Sequence, residues 1–335
     1  MEERKRKYGQ MEGDKERVCV MGGAGYIASW LIMRLLENGY LVNTTVRSEP
    51  EHKEDSSFLA SLPGATQNLK VFNANLSNPE SFNAAIEGCT AVFHLAPTID
   101  YDKRESEEIV TKRSIDATLG ILRACQNIRT VKRVVYTASA SAVAYSGKDV
   151  DVVDESFWSN PDCIRVRMQA GASYAISKLL TERAALEFAE QNGMDCVTIL
   201  PSYVVGPFIC PQLPGSVYVA LAILFGNKDI VEYPVHTVHV DDVARAFIFL
   251  LEHFNPKGRY ICSSEVVNIE RIFEFLSEKY PKLEIPTLDS LKEIRCCKHF
   301  EISSKKLMDA GFKFKYGFNE MYDGVIQCCK EKGYL

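Results

Sequence analysis

No stretch of the 335-residue chain is apolar for long enough to cross a bilayer. The longest conspicuous apolar run, residues 217–225, is bracketed by Pro214 and Gly226, so no membrane span is expected. There is no basic excess: 39 Lys and Arg face 44 Asp and Glu, for a net charge of −5. That balance excludes a strongly basic nucleic-acid binder or a polybasic membrane protein, while leaving local sites for small anions open. Cysteine is present 11 times, but never as Cys-x-x-Cys; the closest pairs, Cys296-Cys297 and Cys328-Cys329, are adjacent. Neither a zinc ribbon nor a thioredoxin-type site is suggested, and buried free thiols in a reducing compartment are expected. Internal repeats and low-complexity segments are absent. Residues 1–16 lack the apolar core of a signal peptide and carry acids that a transit peptide avoids. They read as a solvated, disordered tail, and the expected location is cytoplasmic.

What the sequence does contain is alternation. Residues 18–21 are a short apolar run ending in glycines, a buried strand. Residues 27–37 place Ile27, Trp30, Leu31 and Leu35 at helical spacing, stopped by Asn38-Gly39. Residues 41–46 are β-branched and complete a βαβ unit. Further strands are expected over 69–73, 91–95, 133–137 and 195–200, and helices over 79–86, 106–126 and 173–191. Such alternation predicts an α/β fold: a Rossmann doubly wound parallel sheet with helices on both faces, binding ligands beyond the carboxyl ends of its strands. After Pro201, Pro207, Pro211, Pro214 and Gly215 break the pattern, and a smaller C-terminal substrate lobe is expected. The expected division is a dinucleotide domain over 17–200 and 236–264, and a substrate lobe over 201–235 and 265–335.

Residues 21–28 read Met-Gly-Gly-Ala-Gly-Tyr-Ile-Ala, between a strand and a helix. Glycines at 22, 23 and 25 allow a tight turn and let backbone amides approach a pyrophosphate at a helix N-terminus. Ala28 is small enough for helix–strand packing. Strand two ends in Arg47, where an NAD site offers an acid to the ribose. A guanidinium instead suits the 2′-phosphate of NADP(H), and Lys53 adds charge. Glu49, Glu51 and Glu54 crowd the same loop and weigh against it. NADP(H) is favoured, with NAD(H) as the alternative.

Tyr174 and Lys178 are separated by four residues on one helix face, the only Tyr-x-x-x-Lys in the chain. The helix follows a strand that ends Thr137-Ala138-Ser139. Reducing a ketone requires a proton for the developing alkoxide. A phenol with a pKa near 10 is a poor partner at neutral pH unless an ammonium stabilises its phenolate. A serine hydroxyl can orient the carbonyl. Ser139, Tyr174 and Lys178 are therefore the candidate catalytic residues.

At this point the chain resembles the extended short-chain dehydrogenase/reductase family, and within it the plant dihydroflavonol-reductase-like group. The likeness is carried by 37–47, Asp154-Glu-Ser-Phe-Trp158, Tyr174-x-x-x-Lys178, Val204-Val-Gly-Pro-Phe208, His239-Val-Asp-Asp-Val-Ala-Arg245, Ser304-Lys-Lys306 and the terminal Cys328-Cys-Lys-Glu-Lys-Gly-Tyr-Leu335. It implies cofactor contacts at Gly22, Gly23, Ala24, Gly25, Tyr26, Ile27, Arg47, Asn75, Leu76, Leu95, Ala96, Pro97, Tyr174, Lys178, Pro201, Ser202, Val204 and Ser216. It implies an NADPH-dependent ketone reductase of an aromatic plant metabolite, of isoflavanone or flavonoid type. The alternative is NAD(P)+-dependent oxidation of an alcohol or hemiacetal, for instance of an alkaloid. A third reading, a redox-sensing module that holds dinucleotide without chemistry, is disfavoured by the intact Ser, Tyr and Lys. Departures from the group's pattern are Met21 for Thr, Ala28 for Gly, Asn75 for Asp, Glu54 near a basic position and Ala138 for Ser. Ala144 stands where the group's dihydroflavonol enzymes carry Asn, which argues against a dihydroflavonol substrate. A monomer is expected, with a small aromatic ketone or alcohol as its ligand and no nucleic-acid or membrane partner.

His236 and His239 have ligand spacing but no third ligand, so no metal site is expected. Asp241 and Asp242 read as a helix cap. Tyr203, Phe208, Tyr218 and Tyr233 fit either a substrate pocket or core.

Overall fold

The computed structural model describes residues 16–47, 55–96, 106–168, 171–227, 233–292 and 300–335. Seven strands form one parallel sheet: β1 (Arg17–Met21), β2 (Leu41–Val46), β3 (Leu69–Asn73), β4 (Ala91–His94), β5 (Arg133–Thr137), β7 (Cys196–Pro201) and β10 (Gly258–Cys262). Their spatial order is β10-β7-β5-β4-β1-β2-β3. The chain steps outward from β1 to β3 and then returns to β4 on the far side of β1. The topological switch point therefore lies between β1 and β4, where such sheets bind ligands. Val, Ile, Leu and Cys fill the inner strands because both faces are covered, while the edge strand β3 exposes Lys70, Val71 and Asn73.

One face packs against α1 (Tyr26–Glu37), the other against α2 (Glu107–Asn127), the latter capped by Ser106. Next come the short α3 (Ser141–Ala144), α4 (Pro161–Arg167) and α5 (Ala172–Gln191); α5 lies beside α2 on the second face. The expected helix over 79–86 is instead a 3₁₀ turn, Pro79–Phe82, running into a single α turn. With Gly88 just beyond, the segment is too short for a regular helix.

A second sheet has the order β11-β9-β8, from β8 (Tyr203–Val205), β9 (Val235–His239) and β11 (Glu265–Val267). β9 runs parallel to β8 and antiparallel to β11. The division expected at residue 236 thus falls inside β9, which belongs with the strands of the second sheet. Around that sheet α6 (Gly215–Ala220), α8 (Ile269–Lys279) and α9 (Phe318–Glu331) bury a separate core containing Phe208, Val217, Phe275, Met321 and Tyr322. Between β9 and β10, α7 (Val240–Glu252) returns to the large sheet and packs on α1. A small parallel pair, β6 (Val152–Val153) with β12 (Glu301–Ile302), ties the C-terminal region to the segment after β5. Among the described residues, nine cysteines are free thiols, all buried except Cys163, and no helix is long and apolar enough to cross a membrane.

Candidate active site

The glycine turn sits at the switch point and closes tightly on its surroundings. Gly22 adopts φ +80°, a left-handed conformation that favours glycine. A Cβ there would lie 2.7 Å from Ala96 Cα, and one on Gly23 would lie 2.1 Å from Thr44 Oγ1. The turn is fastened to β2 by Gly23 N donating to Thr45 O at 2.8 Å and Gly22 N to Thr45 Oγ1 at 3.2 Å. Gly25 then caps α1, and Ala28 is buried under that helix. Ala24 and Ile27 are half-buried on the turn. Glycine here leaves a concave backbone at a helix N-terminus beside Leu95 and Ala96, a surface that suits a pyrophosphate. Pro97 and Lys53 lie outside the described residues.

Around the strand ends, Arg47 is half-buried at the end of β2. Past β3, Asn75 turns its carboxamide oxygen to Ser77 N at 2.7 Å, with Leu76 half-buried beside it. Pro201 closes β7, and the Ser202 hydroxyl after it is buried without a partner, as is the Thr137 hydroxyl at the end of β5. Buried hydroxyls of this kind are costly unless a ligand or water completes them. Val204 is buried, and its carbonyl accepts from Ser216 Oγ at 2.8 Å. The cradle, the cation after β2 and the orphaned hydroxyls at the carboxyl edge fit a dinucleotide. The Tyr26 side chain is differently employed. Its hydroxyl donates to Gly206 O at 2.9 Å and its ring meets Phe208 edge-on, which leaves the main chain of Tyr26 for a cofactor.

Ser139, Tyr174 and Lys178 are brought together by α5 lying over the end of β5. Gly171, with φ +79°, starts α5, and all three side chains are half-buried. Lys178 Nζ donates to Thr137 O at 2.6 Å and lies over the Tyr136 ring, 5.2 Å from its centroid. Burial pulls the ammonium down to about 8, with the Glu182 carboxylate acting in the opposite direction. Ser139 Oγ accepts from Ser141 N at 3.2 Å and from Ser141 Oγ at 2.9 Å. With both donors spent on its oxygen, the Ser139 proton is left for another acceptor. Ser141 carries no signal in the sequence, because a serine four residues after a strand end has no distinguishing spacing.

The remaining candidates separate clearly. Phe208 and Tyr233 are core, Tyr218 is half-buried and stacked on Phe225, and Tyr203 is exposed. His236 packs against Phe300, and His239 caps α7 by accepting from Asp241 N at 3.0 Å. The cap is thus the histidine; Asp241 instead accepts from Trp30 and Arg34, and Asp242 from Arg245, Lys315 N and Tyr316 N. A carboxylate pair read as a cap turns out to bind α7 to α1 and to the segment before α9.

Residues 18–269 match the model of the NAD dependent epimerase/dehydratase family. The chain is 55% identical to vestitone reductase of Medicago sativa over 326 residues, covering 97% of this chain and all of that one. The crystal structure of that alfalfa enzyme superposes with a TM-score of 0.86 at 54% identity, covering 96% of this chain and 100% of the other. Noscapine synthase SDR1 of Papaver somniferum is 47% identical over 341 residues, covering 99% and 98% of the two chains. A dihydroflavonol 4-reductase of Hordeum vulgare is 42% identical over 333 residues, covering 97% and 92%.

Proposed function

The chain belongs to the NAD dependent epimerase/dehydratase family and is an NAD(P)-dependent oxidoreductase of the extended short-chain type, and we propose that it is an NADPH-dependent reductase of a ketone on an aromatic plant metabolite, an isoflavanone of the vestitone type. The observation that carries this reading is the Lys178 ammonium, held on Thr137 O one helical turn from Tyr174 and two residues from Ser139. The 55% identity to a vestitone reductase over nearly the whole chain supports the substrate class.

When bound, the nicotinamide cofactor supplies or accepts the hydride. The chain's own groups do the rest. The 22–27 backbone would hold the pyrophosphate, and Arg47 would pair with a 2′-phosphate. The Ser139 hydroxyl, its oxygen occupied by Ser141, donates to the substrate carbonyl oxygen and orients it. Tyr174 gives its phenolic proton to the developing alkoxide. Lys178 stabilises the phenolate left behind and so brings the tyrosine into a useful range. Ser202 and Thr137 carry buried, unpartnered hydroxyls that would be available to hold the cofactor.

The test is consumption of NADPH, with NADH in parallel, against isoflavanones, flavanones, aromatic aldehydes and alkaloid hemiacetals, each also run oxidatively with NADP+ and NAD+. Selective NADPH loss with one ketone is expected. Silence in reduction, with NAD+-linked oxidation of a hemiacetal, would overturn the reading. The 47% identity to a noscapine synthase keeps an alkaloid substrate as the alternative reading.

A further inference from the structure

Three residues on neighbouring strands form a single row across the large sheet. Tyr136 on β5 is the register partner of Thr198 on β7, and Thr198 is the partner of Arg259 on β10. Over this row runs α5, with Tyr174, Lys178 and Glu182 spaced by four residues along one face. The Lys178 ammonium lies over Tyr136. Glu182 occupies the adjoining place in the row. Its Oε1 accepts from Thr198 Oγ1 at 2.6 Å and Arg259 Nε at 2.9 Å, and its Oε2 from Arg259 Nη2 at 2.9 Å. The Glu182 side chain has no accessible surface and that of Arg259 only 7%.

A buried bidentate pair is a poor way to gain stability, because two ions must be stripped of water and an apolar pair fills the same space. Its surroundings point to another use. Arg259 Nη1 donates to Glu155 O at 3.1 Å and Phe157 O at 2.6 Å, and the guanidinium lies 3.5 Å above the Trp158 ring. The next residue, Ser159, donates from Oγ to Ser141 O at 2.6 Å and from its amide to Ala142 O at 2.8 Å. Ser141 in turn holds Ser139. Contacts therefore run unbroken from Glu182 to Ser139, while on the helix its charge faces Lys178.

We propose that Glu182 is a positioning residue of the active site: fixed by Thr198 and Arg259, its carboxylate is the counter-charge that keeps Lys178 an ammonium beside Tyr174, while Arg259 braces residues 155–159 beneath Ser139. This rests on the reading of Ser139, Tyr174 and Lys178 as the catalytic trio. The titratable groups facing Lys178 are Tyr174 and Glu182 on its own helix, Tyr136 from β5 and His94 from β4, with Arg259 of β10 behind Glu182. Burial keeps His94 neutral, down to about 3, and holds the Tyr136 phenol protonated. Glu182 is the anion of this group, and it opposes the burial that pulls Lys178 down.

The test is an NMR titration of Lys178 in cofactor-free protein carrying ¹³C-labelled lysine, the resonance assigned with Lys178→Arg. In Glu182→Gln the Lys178 midpoint is expected to fall by about one pH unit. In Glu182→Asp, which keeps the charge, it should stay near the native value. Because Glu182→Gln leaves Arg259 buried and unpaired, the double variant Glu182→Gln/Arg259→Met is measured as well; its midpoint should fall by less, since the opposing charge is also gone. An unmoved or raised midpoint in Glu182→Gln or in the double variant, whichever of the two folds, overturns the proposal. Tyr174→Phe separates the two readings. If that variant turns over substrate as the native protein does, the trio fails; if it is inactive and the midpoint does not move with Glu182, the role of Glu182 alone fails.

Discussion

The Lys178 ammonium is fastened to the main-chain carbonyl of Thr137 by a 2.6 Å hydrogen bond. This ties one face of α5 to the last residue of β5, and with it fixes Tyr174, one turn earlier, relative to Ser139, two residues later. Tyrosine and lysine on a helix gain catalytic meaning only when something sets the height of that helix over the sheet edge. Here a backbone acceptor does so, and it cannot be altered by changing a side chain.

Replacing Tyr174 by Phe removes the proposed proton donor and leaves the packing almost unchanged, since the ring is half-buried and retains its apolar body. Turnover of the ketone substrate should fall by roughly 10²- to 10⁴-fold. The thermal midpoint should move little, and NADPH affinity, read by fluorescence, should be nearly retained. Native-like turnover would remove Tyr174 from the mechanism.

The ammonium is the useful form of Lys178, and burial brings its titration down to about 8. Below that pH the charge is present; above it the tyrosine loses its support. Reduction should therefore decline as pH rises through about 8. In Lys178→Arg, where the cation persists, any remaining activity should lose this limb. A pH profile of kcat at saturating NADPH checks it. A native profile flat from 7 to 9.5 would contradict the role.

Much of this arrangement is legible in the sequence. The bounds of β2 and β5 follow directly from β-branched runs, and the glycine turn announces itself by falling between a strand and a helix. The sheet β11-β9-β8 does not, because three short strands far apart in sequence acquire their pairing only from tertiary contacts. Glu182 carries no distinguishing signal in the sequence, because its partner Arg259 lies 77 residues later. Tyr26 lies within the phosphate motif, yet its side chain reaches Gly206, 180 residues away. Local period and spacing reveal elements and turns; they are silent on which distant polar group completes a buried one.

Arg47 follows the last residue of β2, and its proposed role is to pair with the 2′-phosphate of NADPH. A charge-assisted contact to a 2′-phosphate contributes about 1.5–3 kcal/mol. In Arg47→Ala the KM for NADPH should rise about ten- to a hundredfold by that arithmetic, with NADH scarcely affected. Steady-state kinetics with both cofactors decide it. Equal losses with both would mean that Arg47 stacks on the adenine without reading the phosphate.

His94 ends β4 beside the switch point, buried, with Nε2 3.3 Å from Thr118 Oγ1, its ring edge-on to Tyr136 and Nδ1 unpartnered. Burial holds its folded pKa down to about 3, with the nearby Lys178 charge acting in the same direction. In the unfolded chain the imidazole titrates near 6.5. Between these values the unfolded state binds a proton that the folded state refuses, so stability must fall as pH falls through 6.5. At pH 5 the loss relative to pH 7 is about 2 kcal/mol from this residue. In His94→Phe that part of the slope disappears, because no imidazole remains to be charged on unfolding. Urea unfolding of both proteins at pH 5, 6 and 7 measures the difference. Parallel pH dependences would show that His94 carries its proton in the folded protein, and the polar cluster beneath Lys178 would then hold a second cation.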